Sequence, residues 1–357
     1  MKKSQMPIVS VIVPVYNVAE FLPKCLQCLA DQTISEIEIL CVDDGSCDDS
    51  PELIKAFREK DARFSLLQQR HRGVSAARNL GIDSAQGKYV IFIDGDDWTD
   101  TDMLRRMVEC AEKTACDMVV CSADVHFEQT GIRGKRRRES LQAALTVPQE
   151  QLLQNDCSDF PWKIIGMPGG WPFIWNKLIR KDLLQQHQIR FAEQLKLGED
   201  GVFLQMLLQY VDQVAFIKPA LYHYRYQRKA SATVSLYESK AIRFQQHICV
   251  VEVLIRGFFE RDILKKNGER LVQWVLRFLY DDFVRLPAEE QKCASIKITA
   301  LFEEYCLCEF GGSLNWIERN RLKDLLETTR KCSKSGSAWN IVRTKVENRV
   351  LRKFFRA

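Results

Sequence analysis

Two rhythms of apolar and polar positions alternate over the first 125 residues of this chain. Short apolar runs recur at Ile8 to Val15, Ile37 to Val42, Phe64 to Leu67, Tyr89 to Ile93 and Asp117 to Cys121. Runs this short and continuously apolar predict strands buried on both faces. Between them lie amphipathic stretches that predict helices. Ala19 to Asp31 puts Phe21, Leu22, Cys25, Leu26 and Leu29 on one side, and Ser75 to Ser84 and Asp102 to Thr114 follow the same period. Ser50 is expected to cap another helix, whose first turn holds Pro51 and Glu52. This alternation predicts an α/β fold with a mostly parallel, doubly wound central sheet. Ligands of such sheets bind beyond the carboxyl ends of the strands. Further on, GIRGKRRRES, within residues 127–140, predicts a solvated loop or hairpin. Residues 157–180, rich in Trp, Pro and Gly, predict an irregular wall over the sheet, and from about Leu236 the pattern is helical.

The candidate chemistry falls at the predicted strand ends. YVIFIDGDDW, residues 89–98, runs from a buried strand straight into Asp94, Asp96 and Asp97. Asp94 and Asp96 are two apart and point to the same side where extended geometry persists. Converging carboxylates repel unless a positive group sits between them, and a hard divalent cation completed by phosphate oxygens answers that need. An acidic turn is the alternative, since Asp and Gly both favour turns.

Four other segments carry comparable signals. Pro14-Val15-Tyr16-Asn17 places at the end of the first strand a tyrosine able to stack on a planar base, or to pack in the core. Val42-Asp43-Asp44-Gly45-Ser46 ends the second strand. An aspartate there can accept from an imide N–H or a ribose hydroxyl, Gly45 permits a tight turn, and Asp48 to Ser50 read as an Asx turn and helix cap. HRGVSAARNLG, residues 71–81, is a helix of small residues in which Arg78 can pair with an aspartate or a phosphate. Gly198-Glu199-Asp200 opens a helix, where acids are favoured by the dipole but can also serve as a general base.

Composition narrows the class. At 357 residues, 46% hydrophobic and 28% charged, the chain suits an ordinary globular protein long enough for two domains. No apolar stretch approaches a bilayer span. MKKSQMPIVSVIVPV is not expected to act as a secretion signal, because two prolines interrupt its apolar run and it leads into a strand. Thirteen singly scattered cysteines, an odd number, predict reduced thiols and a cytoplasmic protein, and the lone C-x-x-C of Cys25 and Cys28 lacks partners for zinc. From Asn340 to Ala357 six basic residues face one acid, which accounts for the whole formal net charge of +5. The balanced remainder excludes a nucleic-acid-binding protein.

Taken in order, these segments resemble the family 2 glycosyltransferases with the GT-A fold, of the bacterial cell-surface polysaccharide type. PVYN, DDGS, H-x-G-x-x-x-A-R-N-x-G and D-x-D stand in the family's order over residues 7–125. WNKLIRKDLL (Trp175 to Leu184) and LGEDGVF are similar to its acceptor side and E-D motif. The resemblance implies residues 1–235 as a GT-A domain, with 1–125 its nucleotide-sugar half and 126–235 its acceptor half, followed by a helical region over 236–357. It implies Tyr16, Asp43, Asp44 and Arg78 on the nucleotide, and Asp94 on the ribose or metal. Asp96 becomes a ligand of Mn²⁺ or Mg²⁺, and Asp200, or failing it Glu199, the base. In LYHYRYQRKASAT it places His223 near the metal and Arg225 near the phosphates.

The implied reaction is inverting, metal-dependent transfer from a nucleotide diphosphate sugar, with uridine favoured, to a saccharide or lipid-linked saccharide. A sugar nucleotidyltransferase is the runner-up, but PVYNVAEF offers no phosphate-binding glycine loop. A dehydrogenase is weaker, because no G-x-G-x-x-G follows strand one. An inactive sugar-nucleotide-binding module stands against the intact aspartates. Val342, Val346, Val350 and Phe354, four apart with basic residues between them, predict a basic amphipathic helix. Such a helix lies on an anionic membrane face or docks on its own protein.

Overall fold

The computed structural model describes residues 6–127, 139, 141–155, 159–170, 172–226, 240–312 and 314–327. By internal contacts the chain divides into two compact units, residues 1–229 and 230–357.

The first unit is built on a nine-stranded sheet. Strands β1 (Val9–Val15), β2 (Ile37–Asp43), β3 (Phe64–Gln68) and β4 (Tyr89–Phe92) lie parallel in the order β3-β2-β1-β4. Helices α1 (Leu22–Ala30), α2 (Ser50–Lys60) and α3 (Val74–Ser84) connect them. The continuously apolar runs form these strands because both faces are covered: Val11, Ile12, Val13, Ile39, Val42, Val90 and Ile91 have no more than traces of exposure. Val9 pairs with both Ile37 and Tyr89, and Val15 with Asp43, so the polar residues that follow β1, β2 and β4 emerge along one edge.

Beyond β4 the sheet becomes mixed. After β5 (Trp98–Thr99) and α4 (Met103–Thr114), β6 (Met118–Phe127) runs past the expected end at Cys121. Strand β8 (Lys177–Arg180) inserts antiparallel between β4 and β6. The long β9 (Gln213–Tyr226) pairs parallel with β6 and antiparallel with β5 and with β7 (Gln151–Gln154). Residues 157–180, expected to be irregular, thus contribute β8 and a short helix α5 (Phe160–Ile165), and α6 (Lys181–Gln186) follows β8 directly.

Ser50 is a further difference, since it is the first helical residue rather than the cap. Its N–H donates to Asp48 Oδ1 at 3.1 Å, and Ala19 N–H donates to Asp48 Oδ2 at 2.9 Å. Asp48 therefore holds the start of α2, and the Ser50 hydroxyl accepts instead from Val18 N–H at 3.2 Å. Cys25, Cys41, Cys116 and Cys121 are buried free thiols.

In the second unit, helices α8 (Lys240–Glu260), α9 (Leu264–Phe283), α10 (Ala288–Glu304) and α11 (Trp316–Glu327) pack on one another. Their shared core includes Phe244, Phe258, Leu271, Leu276 and Phe302. No helix of the described residues is long and apolar enough to cross a membrane. Most of the arginine-rich insert and the whole basic segment 340–357 lie outside the described residues.

Candidate active site

The chain's polar residues gather where β1, β2 and β4 end. At one end of the crevice, Tyr16 is 42% exposed and stacks on His71, with ring centroids 4.1 Å apart. Asn17 ties this turn to the β2 loop: its N–H donates to Ser46 Oγ at 3.0 Å, and its Oδ1 accepts from Cys47 N–H at 2.8 Å. Gly45, at φ +76°, makes the turn between them, and a Cβ there would meet the His71 amide nitrogen at 3.0 Å.

Asp43 and Asp44 are both buried, but their surroundings differ. Asp43 accepts from Ser46 N–H at 3.1 Å and Gln68 Nε2 at 3.2 Å, one bond per oxygen. Asp44 Oδ1 accepts from Gln69 Nε2 at 2.6 Å and Arg72 N–H at 2.8 Å. Its Oδ2 accepts from Gly73 N–H at 2.8 Å and faces His71 Nδ1 at 2.8 Å. Four partners occupy the Asp44 carboxylate, so it shapes the loop that carries His71, whereas Asp43 keeps acceptor capacity.

At the other end the organising group is Arg78, only 3% exposed in α3. Its Nη2 donates to Asp94 Oδ1 at 3.0 Å, and its Nη1 donates to Glu199 Oε1 at 3.2 Å and Asp200 Oδ1 at 2.6 Å. Gly198, at φ +80°, turns the chain so that Glu199 and Asp200 open α7 (Glu199–Leu207) facing this guanidinium. Asp200 Oδ2 also accepts from Ile174 N–H at 3.4 Å. Burial opposes the charge on Arg78, but Asp200, Asp94 and Glu199 outweigh it and hold its pKa above the usual range. Asp200 is pushed up to about 7. Burial is the main cause; Glu199 and Asp94 add to it, and Arg78 opposes it.

Asp97 is turned inward. Tyr222 OH donates to its Oδ2 at 2.6 Å and Arg225 N–H to its Oδ1 at 2.7 Å, while burial, Asp96 and Asp94 raise its pKa well above the usual value. Arg225 Nε donates to the Asp96 carbonyl at 3.0 Å, which brings this arginine of β9 to the D-x-D turn. His223, expected near the metal, instead uses both ring nitrogens on neighbours: Nε2 meets Asp100 Oδ1 at 2.8 Å and Nδ1 meets His126 Nε2 at 3.1 Å.

Asp94 and Asp96 supply carboxylate oxygens, the donor type that suits a hard divalent ion. Among the described residues no three His, Cys, Asp or Glu side chains converge as a self-sufficient metal site. Mg²⁺ and Mn²⁺ bind through one or two carboxylates when phosphates complete the shell, and the neighbouring carboxylates of Asp94 and Asp96 favour such an ion electrostatically.

Sequence reasoning missed His71, Gln68, Lys177 and Tyr222. His71, Lys177 and Tyr222 stood inside segments already singled out, HRGVSAARNLG, WNKLIRKDLL and LYHYRYQRKASAT, and Gln68 alone left no signal. Lys177 is fully buried, and burial pushes it down to about 7.

A parallel half sheet, a mixed second half and acidic groups at one strand edge agree with the GT-A fold expected from the sequence. The profile of glycosyl transferase family 2 matches residues 10–175. EpsH of Bacillus subtilis (strain 168) is 33% identical over 253 residues, spanning 68% of this chain and 70% of EpsH. The poly(ribitol-phosphate) beta-N-acetylglucosaminyltransferase TarS of Staphylococcus aureus (strain MW2) is 26% identical over 249 residues. That match covers 69% of this chain but only 40% of TarS. The crystal structure of S. aureus TarS 1–349 in complex with UDP-GlcNAc superposes with a TM-score of 0.56 at 18% identity, covering 90% of this chain and 91% of that one, a likeness of fold. The chain belongs to glycosyltransferase family 2.

Proposed function

We propose that this glycosyltransferase moves a sugar, with inversion, from a uridine diphosphate sugar to a hydroxyl of a saccharide or lipid-linked saccharide in cell-surface polysaccharide synthesis. One observation carries the reading: a single buried guanidinium, Arg78, joins Asp94 of the D-x-D turn to Asp200 of the E-D motif. In this reading the pairing brings a base and a diphosphate-site carboxylate to one crevice, as direct displacement requires.

In this reading Tyr16 stacks on the uracil and Asp43 accepts from its imide N–H or from the ribose. Asp94 and Asp96 hold Mn²⁺ or Mg²⁺, and Arg225 faces the diphosphate. A bound divalent ion supplies charge compensation for the leaving diphosphate. Asp200, raised to about 7, accepts the proton of the acceptor hydroxyl as that oxygen attacks the anomeric carbon from the face opposite the diphosphate. Arg78 orients that carboxylate, and Glu199 shares its Nη1. Support for uridine comes from TarS, whose solved complexes hold UDP-GlcNAc and UDP.

The decisive experiment is release of UDP from a panel of UDP sugars, with Mn²⁺, with Mg²⁺ and with chelator. Metal-dependent release from at least one sugar is expected, and no release from any would defeat the reading. Residues 340–357, whose six basic positions suit an anionic membrane face near a lipid-linked acceptor, are tested separately. Their removal is expected to abolish co-sedimentation with anionic vesicles, and unchanged co-sedimentation removes the membrane from the proposal.

A further inference from the structure

Transfer needs an acceptor hydroxyl beside Asp200, and the rest of that molecule needs a surface. Ile174, whose N–H faces Asp200 Oδ2 at 3.4 Å, stands between two aromatic residues, Phe173 and Trp175. Trp175 stacks on Tyr222 with centroids 4.2 Å apart and planes 14° apart, and on Tyr224 at 5.3 Å. Phe173 stacks on Trp175 at 5.0 Å and meets Tyr224 at 5.6 Å, and Tyr226 stands edge-on to Tyr224 at 6.0 Å. Tyr222 anchors the inner end: its oxygen accepts from Asp94 N–H at 3.3 Å while its proton goes to Asp97. The row therefore begins at the D-x-D turn, and the backbone between Phe173 and Trp175 meets Asp200.

Its burial is graded. Tyr222 and Trp175 are 0% and 1% exposed, whereas Phe173, Tyr224 and Tyr226 are half-buried. The backbone beneath is fixed, because Lys177 Nζ donates to the carbonyls of Gly169 and Phe173 and to Asn176 Oδ1. A purely structural stack has no need of solvent contact beside a cluster of acids. A pyranose ring does: its axial C–H face packs on aromatic rings while its equatorial hydroxyls reach sideways to polar groups.

The geometry points to Phe173, Tyr224 and Tyr226, backed by the buried Trp175, as the subsite for a pyranose ring of the acceptor, with the reacting hydroxyl turned to Asp200. This rests on the proposed transfer reaction and gives its acceptor a class. That class is a saccharide with an apolar ring face, such as a gluco-configured pyranoside, rather than an open polyol chain or a bare lipid alcohol.

Saturation-transfer NMR on the full chain with UDP and Mg²⁺ tests it, using methyl β-glucopyranoside and methyl N-acetyl-β-glucosaminide as probes and ribitol as the open-chain comparison. Transfer to the axial ring protons of at least one glycoside is expected, with none to ribitol. Phe173→Leu and Tyr226→Leu keep apolar volume but remove the ring face. Each should weaken glycoside binding about fivefold, with UDP affinity by calorimetry unchanged. Tyr226→Leu, at the outer end, carries the test should Phe173→Leu fail to fold. Equal transfer to ribitol, no glycoside signal from a UDP-binding protein, or glycoside binding untouched by these substitutions would each overturn the subsite. A protein that binds no UDP instead fails the transferase reading itself, and the subsite falls with it.

Discussion

Arg78 and Asp200, 122 residues apart in sequence, meet at 2.6 Å in the floor of the crevice, and the same guanidinium reaches Asp94 at 3.0 Å. Three carboxylates around one buried cation carry a net negative charge, which is costly away from water. Arg78→Met would leave all three without their counter-charge. It is expected to lower stability by roughly 3–5 kcal/mol, read from chemical denaturation. Arg78→Lys keeps the charge but loses the planar fork that spans both sides, so it should fold and still lose most turnover. An Arg78→Lys enzyme with full activity would mean that the fork does not set the relation between Asp94 and Asp200.

The raised pKa of Asp200 gives a pH profile. A base must be ionised to act, so kcat/KM should fall about tenfold per unit below pH ~7 and level off above it. Glu199 is among the groups that push Asp200 up, so Glu199→Gln removes a negative neighbour and should move the rising limb to lower pH. A limb that stays in place in Glu199→Gln, or moves to higher pH, would assign the titration to another group.

Base and donor site are separable by substitution. Asp200→Asn should reduce transfer about 10²–10⁴-fold, the usual contribution of a positioned base, while calorimetry finds UDP binding nearly unchanged. Asp96→Asn should also lower transfer but, unlike Asp200→Asn, weaken UDP binding, and only when Mn²⁺ or Mg²⁺ is present, leaving metal-free binding as it was. Equal losses of UDP affinity in both variants would contradict this division of labour.

Much of the first unit was legible because its physics is local. Strands buried on both faces read as unbroken apolar runs, and β1, β2, β3 and β4 fall where those runs lie. The mixed half was harder to read. In β9 residues alternate among Phe216, Lys218, Tyr222 and Arg225, and its pairing with β6 shifts register twice around Ser122, which breaks any clean period. β7 is a four-residue strand whose sequence, QLLQ, carries no signal of its own. In the candidate site, residue types singled out Tyr16, Asp43 and Asp94, which the fold brings to the ends of β1, β2 and β4. The partners of Arg78 were invisible, since Glu199 and Asp200 lie more than 120 residues away. Asp44 and His223 looked like ligands by motif, yet their hydrogen bonds go to neighbours in the protein, a matter of tertiary geometry that spacing does not encode.

Asp44 gives the clearest distinction between shaping a site and touching its ligand. Its oxygens hold Arg72 N–H, Gly73 N–H and Gln69 Nε2 and face His71, so Asp44→Ala leaves two loop amides without their acceptor. A loss of about 2–4 kcal/mol in stability is expected, from buried donors left unsatisfied. UDP binding should also weaken, because the loop presents His71 against Tyr16. Asp43→Asn instead removes one acceptor of a carboxylate that makes only two bonds, so it should cost less stability and more UDP affinity. Thermal melts of both variants, paired with UDP titrations, separate the roles. An Asp44→Ala protein more stable than Asp43→Asn, yet weaker toward UDP, would reverse the assignment and put Asp44 on the nucleotide.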